Sequence, residues 1–246
     1  MMRDADKPVK GSMVKDRHGT SSVVISAKAL SRIYAMGKSE VVGVRDIDLE
    51  IEAGDLVVLK GNSGSGKSTL LSLLAGLDRP TGGDLYVANY DLTNSSEQDL
   101  TRFRREVVSM VFQSFNLLPT LNVLENVCLP ALLAGKSLQQ TRVRGKDLLE
   151  WLGLGHRLTH LPAQLSGGEM QRTAIARALI NEPEIILADE PTGNLDSRNG
   201  LAVIELLGKL NREMHRTVVV ATHSTLADAM ASAVILLKDG MITTPA

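Results

Sequence analysis

The chain has 246 residues, of which 43% are hydrophobic and only 3% aromatic, and its formal net charge is -1. That is material for one large domain or two small ones, and the near-neutral balance argues against both a disordered chain and a nucleic-acid surface. The longest apolar runs, residues 185–188 and 218–221, fall far short of the roughly 20 residues that span a bilayer. The start at Met1 has no apolar core of signal-peptide length, and the single cysteine, Cys128, excludes an internal disulfide, so a reducing, cytosolic compartment is expected.

Residues 1–22 are polar, carry both charge signs and show no periodic apolar face, which reads as a flexible tail ahead of a domain over 23–246. β-Rich segments then appear at Val23-Val24-Ile25, in the alternating Ile47-Asp48-Leu49-Glu50-Ile51, and at Leu56-Val57-Val58-Leu59. The last of these runs straight into Gly61, Asn62, Ser63, Gly64, Ser65, Gly66, Lys67, Ser68 and Thr69, which fit the phosphate-loop pattern G-x-x-x-x-G-K-[ST]. Glycines let successive backbone N–H groups turn onto the β- and γ-phosphates, Lys67 neutralises charge at the γ-phosphate, and the Ser68 hydroxyl ligates magnesium. An apolar helix over 69–75 follows, with Gly76 placed to end it.

A short strand around Leu85-Tyr86-Val87, a charged helix over 97–105 and a strand over 107–112 come next. From Gln113 to Leu165 the β-branched runs vanish and leucine-rich helical stretches at 122–134 and 141–152 take over, so a helical subdomain at about 114–165 is expected inside an α/β core. Gln113, at the junction, carries an amide oxygen that can reach magnesium or an attacking water, the plain alternative being an ordinary surface glutamine. The apolar side chains of 115–133 suit either a buried core or a surface that grips a partner, and the sequence leaves both open.

Ser166-Gly167-Gly168-Glu169 matches a capping box, so Ser166 is expected to cap a helix running through Gln171, Arg172, Ala176 and Leu179. Capping does not account for two consecutive glycines, each costing roughly 1 kcal/mol against alanine in a helix. Bare backbone at a helix N-terminus is useful where a phosphate must approach closely. Since the phosphate loop already supplies its own lysine and N–H donors, the economical arrangement is a two-fold pair of copies, each capped helix closing over the nucleotide of the other.

The α/β pattern resumes with strands at 185–188, 218–222 and 234–237, separated by helices over 197–214 and 225–231. Such alternation implies a largely parallel sheet with ligands at the carboxyl ends of its strands. Asp189 and Glu190 end the first of these strands, and their side chains must point differently. Asp189 is assigned to the magnesium shell and Glu190 to polarising the attacking water. His223, just after the second strand, has no cysteine nearby for a zinc site and is assigned a hydrogen bond to the γ-phosphate.

These residues, in this order, resemble the ATP-binding cassette family over about residues 24–245. The resemblance implies an α/β fold: a P-loop NTPase core with a mainly parallel sheet, an N-terminal antiparallel β subdomain and the inserted α-helical subdomain. It further implies Gln113 as a glutamine loop, and Ser166, Gly167, Gly168 and Glu169 as a signature acting in trans. A dimer contact at Asn194-Leu195-Asp196, a switch role for His223 and an adenine stacked on Tyr34 follow from it too. ATP and Mg2+ are the implied cofactors and ATP hydrolysis the implied reaction. The stretches at 76–80, 111–119 and 188–197 are similar to the lipoprotein-releasing and macrolide-export branch, from which Met170 departs because that branch often has glutamine there.

The implied partners are a second copy and a separate transmembrane permease, with no nucleic acid, and the implied place is the cytoplasmic face of the inner membrane. Lipoprotein release or a related extraction or efflux task is the expected work. A rival is an ATPase in a non-transporting membrane signalling complex acting on cell-wall enzymes. A soluble cassette acting on DNA or ribosomes is disfavoured by the single cassette and the missing heptad run. A small-molecule kinase leaves Ser166 to Glu169 and His223 without a job.

Overall fold

A computed structural model describes residues 23–37 and 39–243, so the expected tail over 1–22 lies outside the described residues. The chain runs β1 (Val23–Met36), β2 (Ser39–Glu52), β3 (Leu56–Lys60), α1 (Lys67–Leu74), β4 (Gly82–Val87), β5 (Tyr90–Asp91), α2 (Glu97–Glu106) and β6 (Val108–Phe112). It continues with α3 (Val123–Leu133), α4 (Leu138–Trp151), α5 (Gly167–Leu179), β7 (Ile185–Asp189), α6 (Ser197–Met214), β8 (Thr217–Thr222), β9 (Ala233–Lys238) and β10 (Met241–Thr243).

Two sheets result. An antiparallel sheet has the order β2-β1-β4-β5, and a second has the order β10-β9-β3-β8-β7-β6, parallel except for its β10 edge. The central parallel strands β3, β7 and β8 are buried on both faces, which is why they read as continuous apolar runs rather than alternating ones. Their period of two still sorts the side chains. Val57, Leu59, Ile185, Leu187, Val219 and Ala221 join the core made with α1 and the antiparallel sheet. Leu56, Val58, Ile186, Ala188, Val218 and Val220 join the opposite core, made with α3 to α6. The sheet therefore carries the phosphate loop on one layer boundary and the helical region on the other.

Between β6 and α5 the described chain is helical: α3, α4 and two short 3-10 turns. Two features depart from the sequence expectation. Residues 225–231 form only one 3-10 turn at Asp228–Met230, not a helix. Hydroxyls compete for the backbone donors there: Thr222 Oγ1 accepts from the Ser224 N–H at 3.0 Å, and Ser224 Oγ accepts from the Leu226 N–H at 3.2 Å. Lys60 also holds Asp228 from β3. The second departure is β10, which turns back through Asp239 and Gly240, both at positive φ (51° and 79°). An Asp-Gly pair between two short β-rich runs is a hairpin signal that the sequence expectation did not include.

Candidate functional site

The loop after β3 is wedged between two other parts of the fold. A Cβ on Gly61 would lie 2.3 Å from the Leu237 carbonyl oxygen, and one on Gly66, at φ 105°, would lie 2.5 Å from the Gly43 carbonyl oxygen. The hairpin of β9 and β10, which carries Leu237, is tied to the loop and to β2, with the Gly240 N–H donating to the Ser65 carbonyl at 3.0 Å and the Arg45 N–H to the Gly240 carbonyl at 2.8 Å. Lys67 is 7% exposed at its side chain. Its ammonium donates to the carbonyls of Gly61 (2.8 Å) and Asn62 (3.2 Å) and stands 3.6 Å from Glu190 Oε1. Carbonyl and carboxylate partners offset the loss of water around a buried ammonium.

Asp189 ends β7, and Glu190 takes a left-handed backbone at φ 44°, an unusual conformation for a non-glycine residue and one that clusters at functional sites. The Glu190 N–H donates to the Ala221 carbonyl (2.8 Å), pinning the turn to β8. Burial pushes the Asp189 carboxyl above its usual range, and the neighbouring Glu190 adds to that, while Ser68 and Lys67 pull the other way. Asp189 Oδ1 is buried without a hydrogen-bond partner. A buried, unpartnered carboxylate oxygen beside a serine hydroxyl is an all-oxygen donor set of the kind magnesium takes, so the residues present fit that cation. His223 Nδ1 stands 3.1 Å from Glu190 Oε1, its side chain 71% exposed, so the imidazole meets the acid in this chain.

Tyr34 is held by groups far away in sequence. Its hydroxyl donates to Asp78 Oδ2 at 2.8 Å, and the Arg32 guanidinium lies 4.5 Å over its ring. Arg32 also pairs with Asp78 at 2.8 Å. Burial pushes the Asp78 carboxyl up, but bonds from Tyr34, the Arg79 N–H and Arg32 outweigh it and hold the group below its usual range. Gln113 follows β6, its Nε2 donating weakly to Asn194 Oδ1 (3.4 Å) and its carbonyl accepting from Asn194 Nδ2 (3.0 Å). One cavity of about 700 Å3 gathers Tyr34, the loop residues Asn62 to Thr69, Gln113, Glu190 and His223, with Val41, Val42 and Gly43 as its apolar wall.

Ser166, Gly167, Gly168 and Glu169 do not line that cavity. Ser166 caps α5 in a reciprocal box: its Oγ accepts from the Glu169 N–H (3.3 Å), and Glu169 Oε2 accepts from the Ser166 N–H (2.8 Å). The two glycines, left unexplained by capping, have a partial explanation within the chain. A Cβ on Gly168 would meet the Asn199 side chain, with Oδ1 at 2.3 Å, which would have to turn aside, whereas one on Gly167 would meet Leu195 Cδ2 at 3.2 Å and the Asn194 carbonyl oxygen at 3.7 Å. Asp196 caps α6, accepting from the Asn199 N–H (2.9 Å) and Asn199 Nδ2 (2.6 Å), a role its position before a helix signals and the sequence reading did not name. Arg32, Gly43, Asp78, Asn199 and Gly240 were missed because each acts across a long sequence separation that no local pattern carries.

A family model for ABC transporters matches residues 44–193. An uncharacterized ABC transporter ATP-binding protein of Methanocaldococcus jannaschii is 48% identical over 219 residues, covering 89% of this chain and 97% of the relative. The lipoprotein-releasing system ATP-binding protein LolD of Idiomarina loihiensis is 42% identical over 222 residues, covering 90% and 97%. The macrolide export ATP-binding/permease protein MacB of Rhodopseudomonas palustris is 45% identical over 218 residues, which are 89% of this chain and 33% of that one. Among solved structures, the dimeric post-hydrolysis state of the ATP-binding cassette MJ0796 bound to ADP and Pi superposes with a TM-score of 0.83 at 41% identity, covering 89% of this chain and 97% of that one.

Proposed function

The chain belongs to the ABC transporter family as an ATP-hydrolysing subunit that uses ATP with Mg2+, and from that premise we propose how its residues divide the work. Two copies sandwich two nucleotides, close on binding, reopen after hydrolysis and so drive a separate membrane protein. The observation that carries this reading is the separation inside one chain. The cavity collects the phosphate loop, Gln113, Glu190 and His223, while the capped start of α5 lies outside its lining and has unpaired first-turn N–H groups to offer a second copy.

Within the cavity the loop N–H groups and Lys67 hold the β- and γ-phosphates, and the Tyr34 ring, braced by Asp78, offers a face to adenine. Ser68, Asp189 and the Gln113 amide oxygen would hold magnesium, which would supply charge neutralisation for the triphosphate. Glu190 orients the attacking water and accepts its proton, and His223, in contact with Glu190, reports the γ-phosphate to that acid. Phosphoryl transfer needs little covalent help beyond positioning and charge, which is what this set provides.

The membrane partner docks in a second cleft of about 590 Å3, walled by Leu77, Met110, Phe112, Pro130 and Leu133 and edged by Arg104 and Arg177. The leucine-rich segment serves both purposes left open by the sequence: Val123, Val127, Cys128 and Ala131 are buried, whereas Leu133 is 77% exposed. No helix among the described residues is long and apolar enough to cross a membrane. We place the protein at the cytoplasmic face of the inner membrane, bound through this cleft. Its task is lipoprotein release or a related extraction, a reading supported by the similarity to LolD along nearly its whole length.

Mixing two inactive variants tests the division of labour. Glu190→Gln and Ser166→Arg each disable a different half, so a mixed dimer contains one site with both intact halves and regains ATPase activity. Failure of every mixture to regain activity, with both variants folded, would remove the cross-subunit role. For the task, vesicles holding the co-purifying membrane protein and a radiolabelled lipoprotein should release it on ATP addition; release of none would refute that assignment.

A further inference from the structure

Glu169 sits at the helix start to which the proposed function brings the phosphates of a second copy. Its Oε2 accepts from the Ser166 N–H at 2.8 Å and from Ser166 Oγ at 2.9 Å, so its charge rests on the very serine that faces the nucleotide. These bonds, led by the Ser166 N–H and joined by Arg157, pull its carboxyl down to about 2. It is therefore an anion at any pH at which the protein works. An anion there offsets the N-terminal helix field that would otherwise favour phosphate, and repels the phosphate directly.

The structure supplies one compensating cation. Arg157, in the 3-10 turn Gly155–Arg157, donates from Nε to Glu169 Oε1 at 2.8 Å. Its Nη1 lies 3.1 Å from His160 Nε2, and since a guanidinium only donates, His160 accepts and fixes the fork. The His160 carbonyl in turn accepts from the Val123 N–H at 2.9 Å, fastening this loop to the start of α3. With the Glu169 side chain 13% exposed and that of Arg157 31%, the pair is shielded more than a solvated surface ion pair.

We propose that Arg157 is a charge-compensating positioning residue of the signature, which neutralises Glu169 so that α5 can receive the triphosphate held by a second copy. This rests on the cross-subunit reading of Ser166 above. Its rival is a purely mechanical brace for the loop before α5, and the two differ in what happens when both charges are removed.

The test measures the ATP concentration at which half of the protein is dimeric on a sizing column, with Mg2+ present and in a Glu190→Gln background so that the dimer persists. Arg157→Gln should raise that concentration at least tenfold, and Arg157→Lys, which keeps the charge, by less than about threefold. Arg157→Gln combined with Glu169→Gln should return to the value of Glu169→Gln alone, and added salt should shrink the Arg157→Gln defect by screening. A double variant as impaired as Arg157→Gln, or an Arg157→Gln protein that dimerises like its parent, would overturn the proposal. Ser166→Arg in the same assay separates the layers: normal dimerisation there sinks the cross-subunit reading itself, whereas a block there with Arg157→Gln unaffected sinks only the role of Arg157. Should Arg157→Gln alone fail to fold, the double variant and the lysine variant still decide, since a brace predicts loss in the double and compensation predicts recovery.

Discussion

The phosphate loop and the capped start of α5 are both glycine-rich, serine-bearing helix entries, yet they are built in opposite ways. The loop is hemmed in by backbone from β2, at Gly43, and from the β9–β10 hairpin, at Leu237 and Gly240, and has a buried lysine folded into it. The start of α5 satisfies only the N–H groups of Ser166 and Glu169 through its reciprocal box, and Gly168 meets a side chain, Asn199, rather than backbone. The first is a finished cradle for phosphate. The second is half a site, and its glycines serve packing within the chain as well as approach from outside.

The sharpest way to strain the comparison is to disable chemistry in the cradle while leaving binding. Glu190→Gln should lower turnover by about two to four orders of magnitude, the usual weight of a general base, and leave an ATP-bound dimer that outlasts the column run. Hydrolysis near the wild-type rate would take Glu190 out of its role. On the other side, Ser166→Arg should cost about 100-fold in steady-state ATPase while ATP binding by a single copy, followed by equilibrium dialysis, stays within about twofold; the estimate follows from losing a helix-start contact made only in the closed state.

The two glycine sets should also respond differently to one methyl group. Gly66→Ala forces a side chain into φ 105° and against a carbonyl that cannot move, so about 1–3 kcal/mol of stability and most nucleotide affinity should go. Gly168→Ala meets the end of an asparagine side chain, which can rotate at the expense of its bond to Asp196, so thermal unfolding should shift by no more than about 1 kcal/mol. Equal losses in the two variants would erase the contrast drawn here.

Acid titration separates the regions further. The Glu169 carboxyl is lower in the folded chain than its ordinary 4.5, so its contribution is whole above that value and disappears as pH falls toward about 2. Glu169→Gln should therefore be less stable than the parent at neutral pH and should lose less on acidification through that window, as read by thermal melts at stepped pH. Asp189 has the reverse sign. Its carboxyl is raised by burial, so the stability it lends is present below the ordinary aspartate range and lost as pH rises through the folded value. In buffer without magnesium or nucleotide, Asp189→Asn should melt slightly higher than the parent at pH 7 while losing ATPase activity; a lower melting temperature would contradict the desolvation argument.

Much of this was legible in advance, and for a clear reason. The strand before Gly61, the loop itself, the helix over 197–214 and the box at Ser166 are local patterns, where hydrogen bonds and side-chain periods are set within a few residues. The same logic fails where partners come from afar. Residues 225–231 look helical by composition, yet hydroxyls at Thr222 and Ser224 and the pull of Lys60 on Asp228 leave a single turn. Gly168 invited an external explanation, because Asn199 is far away along the chain and next door in space.

The sequence by itself determined the phosphate loop, the two acids at the end of β7, the α/β alternation and the capped helix, since each is encoded in spacing that the backbone reads locally. Only the tertiary structure decided that Tyr34, Gln113, Glu190 and His223 share one cavity, that Asp78 braces Tyr34, and that Arg157 faces Glu169. Gln113, Glu190 and His223 meet the loop because a twisted parallel sheet sets the ends of β3, β6, β7 and β8 side by side, and no run of neighbouring residues records that order.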